Sequence, residues 1–131
     1  MTPHPWRILC ADDDPDTCEM VSTLLTLIGC EVITVHTAGE AAERIRNERF
    51  DLYVLDNWLP GGSGVGLCKA IRESGDATPV VFYSGAGYDT DRLEAMDAGA
   101  QAYLIKPGDV GLLVETVRRF LESNEPSREH A

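Results

Sequence analysis

The chain has 131 residues, 44% of them hydrophobic and 25% charged, with a formal net charge of −11. That length suits one domain with a real core. The acidic balance lacks the basic footprint of a nucleic-acid binder and disfavours anionic membranes, so neither is an expected partner. No apolar run could span a bilayer, and "MTPHPWR" lacks the basic-then-apolar order of a signal peptide, so a cytoplasmic protein is expected. Cys10, Cys18, Cys30 and Cys68 form no C-x-x-C pair, and His4, His36 and His130 make no ligand set with them. Reduced, largely buried thiols are therefore expected rather than a zinc site.

Residues 6–11 form a short apolar run with one arginine, which reads as a buried strand. Pro15 then stands where a first helical turn begins, with Asp14 as N-cap. Met20, Leu24, Leu27 and Ile28 recur at helical spacing, with Gly29 as the stop. Residues 30–35 read as a second strand. "TAGEAAERIRNERF", 37–50, reads as a helix facing inward through Ala41, Ala42 and Ile45. "DLYVLD", 51–56, is a third strand ending on an acid. "LPGGSG", 59–64, reads as loop, and "VGLCKAIRES", 65–74, as a helix. "PVVFYS", 79–84, and "AYLIK", 102–106, are the fourth and fifth strands, separated by a helix that begins at Tyr88 and ends at Gly99. Pro107 and Gly108 turn the chain into a last helix over 109–123, whose apolar side is Leu112, Leu113, Val117, Phe120 and Leu121. The domain is expected over 6–122, with 123–131 a polar tail.

Five strands alternating with five helices imply an α/β fold: a doubly wound parallel sheet covered on both faces. Such sheets bind ligands beyond the carboxyl ends of their strands. The chemistry of this chain collects at those ends. The first strand stops at Asp12 and Asp13, the third at Asp56, the fourth at Ser84 and the fifth at Lys106. Parallel strands would bring all five to one edge. Three carboxylates that close cannot all stay ionised cheaply, and a hard divalent cation such as Mg²⁺ resolves the conflict. The backbone carbonyl of Trp58 could add one more oxygen. Lys106 can pair with a carboxylate or a phosphoryl oxygen, Ser84 can donate to the same group, and Asp56 is the candidate nucleophile for an aspartyl phosphate.

These stretches, "ILCADDDPD", "DLYVLDNWLP", "VVFYSG" and "AYLIKP", together resemble the receiver domain of bacterial two-component response regulators, of the single-receiver type found in chemotaxis. The likeness runs from about Arg7 to Leu121. It implies a flavodoxin-like sheet of strand order 2-1-3-4-5. It also implies Asp56 as phosphoacceptor, Asp12 and Asp13 as the acidic Mg²⁺ pair, Ser84 as switch hydroxyl, Lys106 as phosphate-pairing lysine and Tyr103 as a rotamer switch. In that case the chain is a signalling switch, not an enzyme acting on a separate substrate. A sensor histidine kinase or histidine phosphotransfer protein would be the donor. A downstream protein or an excised output domain would read the change, and a homodimer would use the face of the fourth helix, fifth strand and last helix. Met1 reads as a natural start, and the polar end suits either a stand-alone receiver or one cut from a larger regulator.

Several residues depart from the family pattern. Ser63-Gly64 replaces the usual Asp-Gly, Gly108 replaces an aromatic and is expected to loosen the loop before the last helix, and Trp58 is large for its position. Two other readings stay open at this point. The D-x-D spacing of Asp12 and Asp14 resembles a haloacid dehalogenase-type phosphatase with Asp12 as nucleophile, although Asp16 stands where Thr or Val is expected and no late acidic pair follows. A receiver-like interaction module that works without phosphorylation is the other. "GGSGVGLCK", 61–69, is not a nucleotide-binding loop, because Leu67 stands where the lysine is required.

Overall fold

A computed structural model describes residues 5–85 and 89–123. Its main sheet contains β1 (Trp6–Ala11), β2 (Cys30–Val35), β3 (Leu52–Leu55), β6 (Val80–Ser84) and β7 (Ala102–Ile105). All neighbours run parallel in the order β2-β1-β3-β6-β7, which is the expected 2-1-3-4-5 topology. The helices are α1 (Pro15–Thr26), α2 (Ala38–Asn47), α3 (Gly64–Glu73), α4 (Asp89–Asp97) and α5 (Val110–Ser123). Tyr88, placed in the fourth helix from sequence, lies outside the described residues.

The period-two alternation of each strand builds two cores. On one face Leu9, Ala11, Tyr53, Leu55 and Phe82 pack against Ala41 of α2, Leu67, Cys68 and Ile71 of α3, and Ala95 of α4. On the other, Ile8, Cys10, Leu52, Val54, Val81 and Leu104 meet Cys18, Val21 and Leu25 of α1 and Leu113, Val117 and Leu121 of α5. Strands buried on both sides need continuous apolar runs, as this sequence has. All four cysteines are free and buried.

On α1 and just past its end, Met20 and Ile28 are partly buried against that second core, while Leu27 is 79% exposed. Two expectations need correcting. On α5, Leu112 is half exposed rather than part of the apolar side. The stretch read as a plain loop contains a two-stranded antiparallel hairpin, β4 (Trp58–Leu59) and β5 (Gly62–Ser63). Gly61, with φ of +82°, supplies its turn.

The loop before α5 is not left loose by Gly108. The Asp109 backbone N–H donates to the Ile105 carbonyl at 2.8 Å, and the Ile105 N–H donates to Asp109 Oδ2 at 2.9 Å. The Lys106–Pro107 bond within it is cis.

Candidate functional site

The carboxyl edge of the sheet is held in register by backbone bonds between neighbouring strand ends. The Asp12 N–H donates to Val35 O at 3.0 Å, the Asp56 N–H to Ala11 O at 2.9 Å, and the Lys106 N–H to Ser84 O at 2.9 Å. Each of these residues is therefore placed where its strand runs out, with the side chain free to turn over the edge. Asp14 caps α1 by accepting from the Asp16 N–H at 3.2 Å.

Lys106 Nζ reaches Asp12 Oδ2 at 2.7 Å and Asp56 Oδ2 at 3.2 Å. Ser84 Oγ donates to Asp56 Oδ1 at 2.8 Å. Asp12, Asp56 and Ser84 are buried, whereas Asp13 is exposed. Carboxylate oxygens of Asp12, Asp13 and Asp56 lie within 4.8 Å of one another, the one such cluster of potential metal ligands found among the described residues. One ammonium against three carboxylates leaves an excess of negative charge, and an all-oxygen donor set of this kind suits a hard divalent cation.

The electrostatics follow from this crowding. Burial pushes the Asp12 carboxyl above the ordinary range. The Lys106 bond and the Asp14 amide pull it back, but not fully, and the Asp56 charge adds to the rise. Burial works against the Lys106 ammonium too, but its bond to Asp12 and the charges of Asp56 and Asp12 outweigh that, so its pKa is raised.

Tyr103 stacks on Phe82 with ring centroids 5.6 Å apart and planes 19° off parallel. Burial pushes its phenol up, and a hydrogen bond with the Ser84 side chain pulls it part of the way back. Ser84 Oγ thus touches both Asp56 and Tyr103. The Trp58 ring is 65% exposed, and its backbone N–H leans towards Asp56 Oδ1 at 3.4 Å.

Three contributors escaped the sequence reading. Gly64 passes so close to the site that an added Cβ would lie 2.5 Å from the Asp56 carbonyl oxygen and 2.7 Å from the Phe82 ring. Asn57 is buried and bonded to the start of α3. His36 Nδ1 sits 3.0 Å from the Asp12 carbonyl, which also accepts from Cys18 Sγ at 3.2 Å. Only the Ser63-Gly64 departure drew attention to this part of the chain. Ser63 itself takes the helix-cap role, accepting from the Gly66 N–H at 3.0 Å.

A family model described as the response regulator receiver domain matches residues 8–118. The chain is 34% identical over 125 residues to the response regulator protein PilR of Pseudomonas aeruginosa; that match covers 95% of this chain and 28% of PilR, so the chain spans only part of that relative. Among solved structures, a BeF3-activated DrrB receiver domain is 34% identical with a TM-score of 0.82, covering 90% of this chain and 98% of its own. A CheY-like receiver domain protein from Methanospirillum hungatei JF-1 is 29% identical with a TM-score of 0.87, covering 94% of this chain and 98% of its own. Sheet order, acidic cluster and family match agree, and the chain belongs to the response regulator receiver domain family, a phosphorylation-controlled switch rather than a catalytic enzyme.

Proposed function

We propose that Asp56 accepts a phosphoryl group from the phosphohistidine of a sensor histidine kinase or a histidine phosphotransfer protein. The observation that carries this reading is the grouping of Asp56 with Asp12 and Asp13, while Ser84 and Lys106 grip its two oxygens. Mg²⁺ would be held by Asp13, Asp56 and the Trp58 carbonyl, with Asp12 acting through water. When bound, it offsets the charge of the entering phosphoryl oxygens.

The Asp56 carboxylate attacks phosphorus in line, the new O–P bond forms, and the P–N bond breaks with its electron pair returning to the imidazole. Lys106 keeps its 2.7 Å bond to Asp12 and pairs with a phosphoryl oxygen in place of Asp56 Oδ2. Ser84 transfers its proton contact from Asp56 to the same group, and Tyr103 follows through its bond to Ser84. The phosphatase reading, in which Asp12 is the nucleophile, fares worse. The family match runs the other way, to the receiver domain.

The test is intact-mass measurement after acetyl phosphate and Mg²⁺. Wild type should gain one phosphoryl group and Asp56→Asn none. Equal labelling of the two would remove Asp56 from the role, and no labelling of wild type would support the phosphorylation-independent module instead. The exposed Trp58 ring is expected to limit water's approach to the phosphorylated side chain. Autodephosphorylation of Trp58→Asn should therefore be faster, and an unchanged half-life would retire that role.

The output surface of this reading is the face of α4, β7 and α5. Leu93, Met96, Ile105 and Leu112 are its exposed apolar residues, suited to a downstream protein, an output domain or a second copy of the chain. The receiver unit is taken as 6–122 with a polar tail from 123, although Ser123 still closes α5. A cytoplasmic setting, where kinase partners and Mg²⁺ are found, completes the reading. Among the described residues no helix is long and apolar enough to cross a membrane.

A further inference from the structure

The first amides of a helix have no partner within it, and a buried one left unsatisfied is costly. In α3 one residue outside the helix answers two of them. The Gly64 N–H donates to the backbone carbonyl of Asn57 at 3.1 Å, and the Val65 N–H donates to Asn57 Oδ1 at 3.2 Å. Ser63 takes the third amide, that of Gly66. Asn57 is only 7% exposed, so its polar side chain is committed to this contact rather than to water.

Asn57 directly follows Asp56. On its other side Asp56 is tied to β1 through its own N–H. The segment 56–58 is thus stretched between a strand and a helix start, and it carries the Asp56 carboxylate together with the Trp58 carbonyl. The hairpin beyond it is fixed as well: the Ala38 N–H donates to Pro60 O at 3.0 Å, and Gly62 lies so close to Ala38 that an added Cβ would fall 2.9 Å from its methyl.

We propose that Asn57 is a positioning residue for the phosphorylation site: its clasp on α3 sets the backbone that presents Asp56 and the Trp58 carbonyl to Mg²⁺. This inference rests on the functional reading above. Without the side-chain acceptor, the buried Val65 N–H loses its partner, and the 57–58 turn is held by its backbone bonds alone. Outer partners of metal ligands commonly change affinity this way without touching the ion.

The experiment compares Asn57→Leu, Ser63→Ala and wild type by Mg²⁺ calorimetry, by thermal melting and by amide hydrogen exchange of the metal-free proteins. Asn57→Leu is expected to bind Mg²⁺ about tenfold more weakly and to exchange the Trp58 amide faster. Ser63→Ala removes a cap from the same helix. It should lose thermal stability yet keep wild-type Mg²⁺ affinity and wild-type exchange at Trp58. Val65→Pro deletes the same hydrogen bond from the helix side, at a first-turn position where proline is tolerated, and should repeat the Asn57→Leu result. Wild-type affinity in both Asn57→Leu and Val65→Pro overturns the inference, as does an equal loss in Ser63→Ala. A wild type that binds no Mg²⁺ overturns the functional reading along with it.

Discussion

Replacing Lys106 by methionine is expected to cost the metal-free protein about 3 kcal/mol and lower its melting temperature by about 10 °C at neutral pH. The ammonium lies 2.7 Å from Asp12 and 3.2 Å from Asp56, and both carboxylates are buried. Methionine fills much of the same volume but leaves those charges facing each other uncompensated. The pH dependence separates this cause from a simple packing defect. Burial already holds the Asp12 carboxyl above its ordinary range, and loss of the cation raises it further in the folded state only. A carboxyl raised in the folded state contributes stability below its unfolded pKa and loses it as pH climbs through the folded value. The variant's deficit should therefore be smallest below about pH 4 and complete once the raised Asp12 pKa has been passed. Saturating Mg²⁺ should restore most of the loss. A deficit of equal size at both pH values, unaffected by Mg²⁺, would mean that charge crowding is not what Lys106 relieves.

The second large effect is expected from one methyl group. In Gly64→Ala, the new Cβ would fall 2.5 Å from the Asp56 carbonyl oxygen and 2.7 Å from the Phe82 ring. Neither neighbour is a flexible side-chain end. Backbone and ring must shift, at a cost of about 3 kcal/mol. The displacement reaches the site by two routes: through the Asp56 backbone, and through Phe82 into the stacked Tyr103. Slower labelling by acetyl phosphate should accompany the lower melting temperature. Gly108→Ala is the matching control, because its Cβ would meet nothing within 4 Å and its φ is not in the left-handed region. It should be neutral or slightly stabilising. If both glycine variants melt together with wild type, the close approach of α3 to Asp56 is not a constraint.

The position of the site was legible because parallel strands carry their termini to one edge. Asp12, Asp56, Ser84 and Lys106 each end an apolar run, so topology alone brings them together. What stayed hidden was anything decided by packing between elements. At the end of α1, Leu27 shares the helical spacing of Met20 and Ile28, yet only those two pack against the core that holds Cys18, Val21 and Leu25. The hairpin at 58–63 has strands of two residues each, too short for any periodicity. Asn57 left no signal, since a lone polar residue after a strand reads as solvated until the helix start that it holds is seen. The crowding at Gly64 is likewise visible only when Asp56 and Phe82 are brought beside it.

The chain of contacts from Tyr103 through Ser84 to Asp56 has a consequence for signal quality. A receiver in which some molecules close this chain before modification leaks signal. Its dynamic range is then capped by the resting population: if about one molecule in ten already sits in the output-competent arrangement, full modification can raise output no more than about tenfold. A pathway needing a sharper response would have to lower that noise floor through a partner that holds Tyr103 outward.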